Sequence, residues 1–96
     1  MTLRINRLAK ELYDSEIVID GLNVSNWESP AVFKSLKAGK VAAINATVAS
    51  WENFPETLDN ISAWGPRFRR YGETITQIRN TADIFEAKRN NKTGII

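Results

Sequence analysis

Two stretches decide the fold of this 96-residue chain: EIVID at residues 16–20 and VAAINATV at residues 41–48. The first is rich in β-branched residues and runs into Asp20-Gly21, a turn dipeptide, so it predicts a buried strand that ends in a turn. The small residues of the second predict a strand in a crowded interior position. Helical patterns flank both stretches, and this alternation predicts an α/β fold with a parallel sheet.

Four segments have the apolar spacing or the end signals of helices. The first covers about residues 3–13, and the second begins at Ser29-Pro30 and ends near Gly39. The third begins at about residue 55. Its apolar residues recur at steps of four and three and predict one buried face, formed by Phe54, Leu58, Ile61, Gly65 and Phe68.

The third helical pattern is interrupted by Gly65-Pro66, where the missing amide of Pro66 predicts a kink or a break. Residues 74–79 alternate in polarity and predict a short extended piece. A last helix is expected at residues 82–90, capped by Asn80 or Thr81. The sequence KTGII at residues 92–96 then reads as a helix exit into a strand that is cut after its first apolar residues. We therefore expect the opening segment of a larger α/β protein.

Composition narrows the function class. The chain is 43% apolar and 25% charged, and its net charge of +2 comes from 13 basic and 11 acidic residues, a balance that does not favour nucleic acid or an anionic membrane as partner. It has no cysteine and no histidine, so it lacks thiolate chemistry and the commonest zinc ligand. Neither a membrane-spanning run nor the apolar part of a signal peptide is visible, so we expect a cytoplasmic protein.

Polar residues follow both main strands. Strands in a parallel sheet end at one edge, so Asp20 and Thr47 should lie at the same edge, and in a (β/α)8 barrel that edge carries the active site. We therefore expect the polar residues just past the strands near its mouth: Asn23, Ser25, Asn26, Ser50 and Glu52.

Each candidate site residue has a structural alternative. Asp20 is either a carboxylate that supports metal ligands or binds a metal itself, or it is part of an Asp-Gly turn with its side chain bonded to the local backbone. Asn23 either orients substrate or caps its loop. Trp27 and Trp51 either wall a substrate pocket or cover the barrel rim. The basic and aromatic run at residues 67–71 is typical of a helix end more than of a nucleic-acid site.

Several of these stretches resemble, in order along the chain, the membrane (renal) dipeptidase family. The similar stretches are LYD followed by IVIDG at residues 12–21, ATVASWEN at 46–53, RNTADI at 79–84 and KTGII at 92–96. The resemblance implies the opening of an amidohydrolase-like (β/α)8 TIM barrel: residues 1–96 would be a partial domain with the N-terminal helix, two βα units and the start of the third strand. It also implies zinc as cofactor and hydrolysis of dipeptides by metal-activated water.

The first strand departs from the family at the metal ligands. There the strand ends Asp-Gly-His-Asn-Asp, and the His and the second Asp bind zinc. Here Leu22 and Val24 stand at these two positions, and neither side chain can bind a metal. The segment therefore supplies no zinc ligand and no catalytic residue of the family.

Three functions remain open from the sequence. The chain is a fragment of a dipeptidase-like metallohydrolase, inactive without the remainder of its barrel; or it is part of a catalytically dead homologue that acts as a scaffold or binding subunit; or it is a free-standing small basic α/β binding module. The first predicts a dipeptide substrate and the rest of the barrel as partner, with no nucleic acid.

Overall fold

The computed structural model describes residues 2–96, with side chains from residue 4 onward. Helices and strands alternate for most of this length. They are α1 Thr2–Ser15, β1 Ile19–Asn23, α2 Pro30–Ala38, β2 Ala43–Ala46, α3 Phe54–Ser62, α4 Trp64–Arg70, β3 Ile75–Gln77, α5 Thr81–Arg89 and β4 Thr93–Ile95.

The strands form one parallel sheet in the order β1-β2-β4-β3. The expected α/β fold with a parallel sheet is therefore confirmed. β4, the strand expected to follow the last helix, pairs with β2, as the third strand of a barrel would. The extended piece at residues 74–79 also joins the sheet, because β3 pairs with β4 on the side away from β2.

The main core lies between the sheet and helices α2 and α4. Phe33, Ile44, Trp64, Ile75 and Ile95 are buried there. Ile44 and Ile95 are register partners at the centre of the sheet, and the small residues around Ile44 are buried as expected. Close packing of these side chains therefore fixes how the helices lie on the strands.

The other sheet face is open near the strand ends. Asn45 in β2 and Ile96 directly after β4 are exposed, whereas the residues that precede them are buried. The Cα radius of gyration is 15.1 Å, against about 12–13 Å for a compact domain of this length. The described residues therefore leave an apolar face that a closed barrel would bury.

Glycine is required in β4 by a close approach between residues of neighbouring strands. A Cβ at Gly94 would overlap Cδ1 and Cγ1 of Ile78, which follows β3. Gly21 in β1 has nothing within 4 Å of the corresponding position. The two strand glycines thus have different roles, and only Gly94 is fixed by packing.

The first strand was predicted in the wrong place. It was expected at residues 16–20, buried and closed by a turn at Asp20-Gly21, but it covers Ile19–Asn23 and its residues are exposed or half-buried. Asp20 and Gly21 lie inside the strand and form no turn. The polar residues were misleading because β1 is an edge strand within residues 2–96, where half-exposed positions accept Asp and Asn.

The prediction of a buried face on α3 was also wrong. Its expected buried face contains Phe54, Leu58 and Ile61, but all three are exposed and α3 has no buried residue. The spacing of the apolar residues is that of an amphipathic helix, yet no other part of residues 2–96 covers the apolar face of α3. The expected interruption at Gly65-Pro66 is present as a break at Ala63, between α3 and α4.

The helix ends follow the predicted signals with two differences. Asn80, one of the two residues expected to cap α5, does so, since its side chain accepts a hydrogen bond from the Asp83 amide, and both differences lie in α2. Ser29 is the N-cap residue of α2, but its side chain makes no capping hydrogen bond. At the other end of α2, Gly39 is the C-cap residue as expected, but the left-handed conformation lies one residue further on, at Lys40, with φ of 53°.

Lys40 and the end of α1 join the first helix to α2. Tyr13 Oη donates to the Gly39 carbonyl at 2.7 Å, and Asp14 Oδ2 lies 3.1 Å from Lys40 Nζ and 2.6 Å from Lys10 Nζ. Hydrogen bonds from Lys10 and then Lys40 hold the pKa of Asp14 below its usual value.

Within residues 2–96, no helix is both long and apolar enough to cross a membrane.

Candidate functional site

A cleft of about 270 Å³ opens beyond the carboxyl ends of β1 and β2. The loops after the two strands form its walls, and residues of α3 and α4 complete it. This is the edge at which open and barrel-shaped parallel sheets carry their sites. Its lining residues are Val24, Ser25, Asn26, Trp27, Glu28, Thr47, Val48, Ala49, Ser50, Trp51, Glu52, Asn60, Trp64 and Arg67.

The candidate residues divide into two groups. Trp27 and Trp51 line the cleft, whereas Asp20 and Asn23 lie behind it and reach it through Ser25. Asp20 Oδ2 accepts from Asn23 Nδ2 at 2.9 Å, and Asn23 Oδ1 accepts from the Ser25 hydroxyl. Asp20 Oδ1 also accepts from the Leu22 amide at 3.2 Å. The aspartate thus holds Asn23 and the start of the loop in place.

A bulge in β1 accompanies this polar chain. Asp20 pairs with Ile44 and Asn23 with Ala46, so Gly21 and Leu22 together oppose Asn45. Bulges of this kind re-aim side chains and are common beside active sites. Here the bulge brings Asn23 into register at the strand end, within reach of Ser25.

All three tryptophans of the chain line the cleft. Trp27 is half-buried: its indole Nε1 donates to the Thr47 carbonyl at 3.2 Å, and its ring lies 5.1 Å from that of Trp64. Trp51 has 85% of its surface exposed. Trp27 is therefore both a cleft wall and a tie between the two loops, whereas Trp51 is a free aromatic surface at the entrance.

Glu52 is the acidic group at the end of the β2–α3 loop. Its Oε2 accepts from the Ser50 amide at 2.6 Å and from the Trp51 amide at 3.2 Å. These backbone hydrogen bonds, with that of Ser50 the strongest, hold the pKa of Glu52 below its usual value. The carboxylate is therefore ionised at neutral pH, and main-chain amides fix its position.

Arg67 is the basic group of the cleft. Its Nη2 lies 2.6 Å from Glu28 Oε1, and its guanidinium carbon is 5.0 Å from the Trp64 ring centre. Only 14% of its side-chain surface is exposed. The sequence showed this residue merely as part of a basic helix end, because its acidic partner lies 39 positions away.

Thr47 contributes an unpartnered polar atom beside the cleft. Its hydroxyl oxygen is buried and has no hydrogen-bond partner among the described residues. No sequence pattern indicated this unpartnered hydroxyl, or Trp64 and Asn60 as lining residues. Ser25, Asn26, Ser50 and Glu52 were expected near the mouth, and all four line the cleft.

The residues present do not fit a zinc ion. Leu22 and Val24, at the positions where the dipeptidase family has ligands, are apolar and have 73% and 67% of their surface exposed. Residues 2–96 contain no group of three or more His, Cys, Asp or Glu side chains that could hold a metal. No catalytic step through a metal can therefore be derived from this segment.

A second cavity, of about 200 Å³, lies at the opposite edge of the sheet, between the ends of α2 and α5. Its walls include Lys37, Lys40, Lys88 and Lys92, which balance the negative ends of these helices. Sites in parallel sheets lie at the other edge, so this cavity is not the candidate site.

Comparison with known proteins supports an amidohydrolase-like fold. The chain is similar to the crystal structure of an amidohydrolase from Pseudomonas aeruginosa, with 40% sequence identity and a TM-score of 0.84 over 90% of this chain. The match covers 26% of that protein, so the chain spans about a quarter of its length. No protein-family profile matches the chain, and no curated protein is significantly similar to it.

The similarity confirms the predicted fold class, the opening of an amidohydrolase-like barrel. It does not distinguish a membrane dipeptidase from other amidohydrolases. The dipeptidase resemblance, the dipeptide substrate and the zinc cofactor remain predictions.

Proposed function

We propose that the chain is the opening part of an amide-hydrolysing barrel enzyme, and that dipeptides are the substrates of the complete protein. The observation that carries this proposal is the 40% identity to an amidohydrolase over 90% of the chain. The polar and aromatic cleft at the carboxyl edge of the strands supports it, because barrel enzymes act at that edge. The 96-residue chain alone should be inactive.

The remainder of the barrel is the partner that the proposal requires. The open sheet face and the exposed apolar residues Ile19, Leu22 and Val24 support this, since barrel closure would bury them. A catalytic metal would need ligands from the remainder of the barrel, because residues 2–96 contain no group of three or more His, Cys, Asp or Glu side chains that could hold one.

A catalytically dead homologue is the second candidate. The replacement of the family's ligand pair by Leu22 and Val24 favours it, because apolar side chains at this edge can line a binding cleft but cannot activate water. Both candidate functions assume the same barrel fold, and they differ only in whether the complete protein catalyses hydrolysis.

A chimera tests both. This chain would replace the matching quarter of the Pseudomonas aeruginosa amidohydrolase, and the purified protein would be assayed with a panel of dipeptides and with added zinc. A folded chimera that hydrolyses dipeptides supports the enzyme. A chimera that does not fold contradicts the barrel assignment, because segments with the same fold and 40% identity should be exchangeable.

The matched variant restores the ligand pair, with Leu22→His and Val24→Asp in the same chimera. A chimera that folds but is inactive until these substitutions are made supports the dead homologue. Hydrolysis by the unmodified chimera, unchanged by the substitutions, excludes it. Ile19→His serves as the control for adding a histidine to β1 outside the pair.

A further inference from the structure

The geometry points to an ammonium-binding subsite in the cleft, with Glu52 as its anionic partner and Trp51 as its aromatic wall. The ligand is a primary or quaternary ammonium group carried on a small apolar body. This inference concerns binding, which requires no hydrolysis, so it goes beyond the proposed function.

The first observation concerns the charge of the cleft. Glu28, Glu52 and Arg67 are its charged lining residues. Arg67 and Glu28 neutralise each other across 2.6 Å. One negative charge therefore remains on Glu52, in a chain whose net charge is +2. The cleft thus selects cations, in contrast to the protein as a whole.

The second observation concerns the way in which Glu52 is held. Its hydrogen-bond donors are the amides of its own loop, which leave its negative charge unbalanced by a cation. Because one oxygen takes both amides, the carboxylate is oriented before a ligand arrives. A preorganised carboxylate loses little freedom on binding, which favours a small charged ligand.

The third observation concerns the aromatic surface. A cation already lies on one tryptophan of the cleft, where Arg67 is 5.0 Å from the Trp64 ring centre. Trp51 precedes Glu52 directly and has 85% of its surface exposed, so its ring is available to a second cation. Glu52 and Trp51 both line the cleft, and a carboxylate together with an accessible indole can bind an ammonium group. Tryptophan at so exposed a position contributes nothing to the core.

The test is a fluorescence titration of the 96-residue protein, since the tryptophans of the cleft report directly on its occupancy. The probes are n-butylammonium, the neutral n-butanol and the anionic butyrate, which share an apolar body. We expect a saturable change with butylammonium and little or none with the other two. Equal binding of butanol, or stronger binding of butyrate, would overturn the proposal.

Variants assign the effect to residues. Glu52→Gln keeps an oxygen for the two amides but removes the charge, and should weaken butylammonium binding about tenfold, a loss of about 1.4 kcal/mol, because a charge-assisted hydrogen bond is roughly twice as strong as a neutral one. Glu73→Gln removes an exposed carboxylate outside the cleft and should leave binding unchanged. Trp51→Leu should weaken binding without affecting folding.

The pH dependence is a second readout of the same group. Binding should persist down to pH values below the ordinary glutamate range and be lost as the pH falls through the lowered pKa of Glu52. Unchanged affinity in Glu52→Gln, or binding that is constant through this range, would contradict the assignment. Neither outcome would bear on the barrel chimera, so the two proposals fail independently.

Discussion

Replacing Ile44 with alanine should remove a large part of the stability of the chain. The side chain is 0% exposed and belongs to the core cluster with Phe33 and Ile95. The substitution deletes Cγ1, Cγ2 and Cδ1, and at ~0.8 kcal/mol for each buried carbon the transfer loss is about 2.4 kcal/mol. The cavity left in a packed core raises the total to about 3–4 kcal/mol.

The loss expected for Ile44→Ala is a large fraction of the total free energy of unfolding. Small domains are stable by about 0.05–0.15 kcal/mol per residue, and an open sheet face places this chain near the lower limit, at about 5 kcal/mol. Urea unfolding followed by tryptophan fluorescence should show the midpoint fall by about 2 M, for a slope of about 1.5 kcal/mol per M.

The matched control is Ile61→Ala on α3. This isoleucine is 51% exposed, and alanine is the better helix former, so the change in the free energy of unfolding should stay within about 0.5 kcal/mol. Equal destabilisation by the two substitutions would refute the reasoning. It would mean that the α3 stripe is covered in solution and that the described core is not the main source of stability.

Three further predictions follow from backbone and charge. Gly94→Ala should destabilise the chain by about 1–3 kcal/mol through its overlap with the neighbouring isoleucine, whereas Gly21→Ala should have little effect; both are measured by urea unfolding. Asn91→Ala should cost about 1 kcal/mol, because Asn91 has a φ of 56° and alanine tolerates this left-handed conformation poorly. Lys10→Met should raise the pKa of Asp14, observed by NMR titration of its carboxyl group, because the hydrogen bond from Lys10 is the main cause of the lowered value.

Each of these has a contradicting outcome. Equal effects at Gly94 and Gly21 would mean that the strands are not packed as described. A stable Asn91→Ala variant would argue against the left-handed turn after α5.

For Asp14, whose pKa is lowered on folding, the contribution to stability is complete above the ordinary carboxyl pKa and is lost as the pH falls through the lowered value. Destabilisation that begins at neutral pH would have another origin.

The helix ends and the interior strand could be predicted from sequence because their signals are local. Pro30 and Asn80 mark helix starts by their own chemistry, and the small residues around Ile44 report a crowded site. The edge strand β1 could not be placed, because its polar residues fit a half-exposed strand and a turn equally well. The exposed face of α3 could not be foreseen either, since periodicity shows that a helix is amphipathic but not what covers it.

For the site, the loops that follow the strands were predictable and the contacts between them were not. Topology alone brings Trp27, Trp51 and Glu52 to one edge. The pairing of Arg67 with Glu28 joins residues that are distant in sequence, and the amide contacts of Glu52 depend on the backbone path of a single loop. Neither leaves a pattern in the residue types.

The position of β4 has a consequence for the order of folding. This strand comes last of the four in the sequence, yet it lies between β2 and β3 and donates from Gly94 and Ile96 to the carbonyls of Ala42 and Ile44. As the chain leaves the ribosome, β3 therefore cannot join the sheet before β4 is synthesised. The position beside β2 stays unpaired until β4, about fifty residues further along the chain, has emerged. Closing so long a loop is slow, and an unfilled gap in a sheet accepts foreign strands. The sheet of residues 2–96 therefore stays incomplete, with β2 open to such pairing, until residues 93–95 emerge.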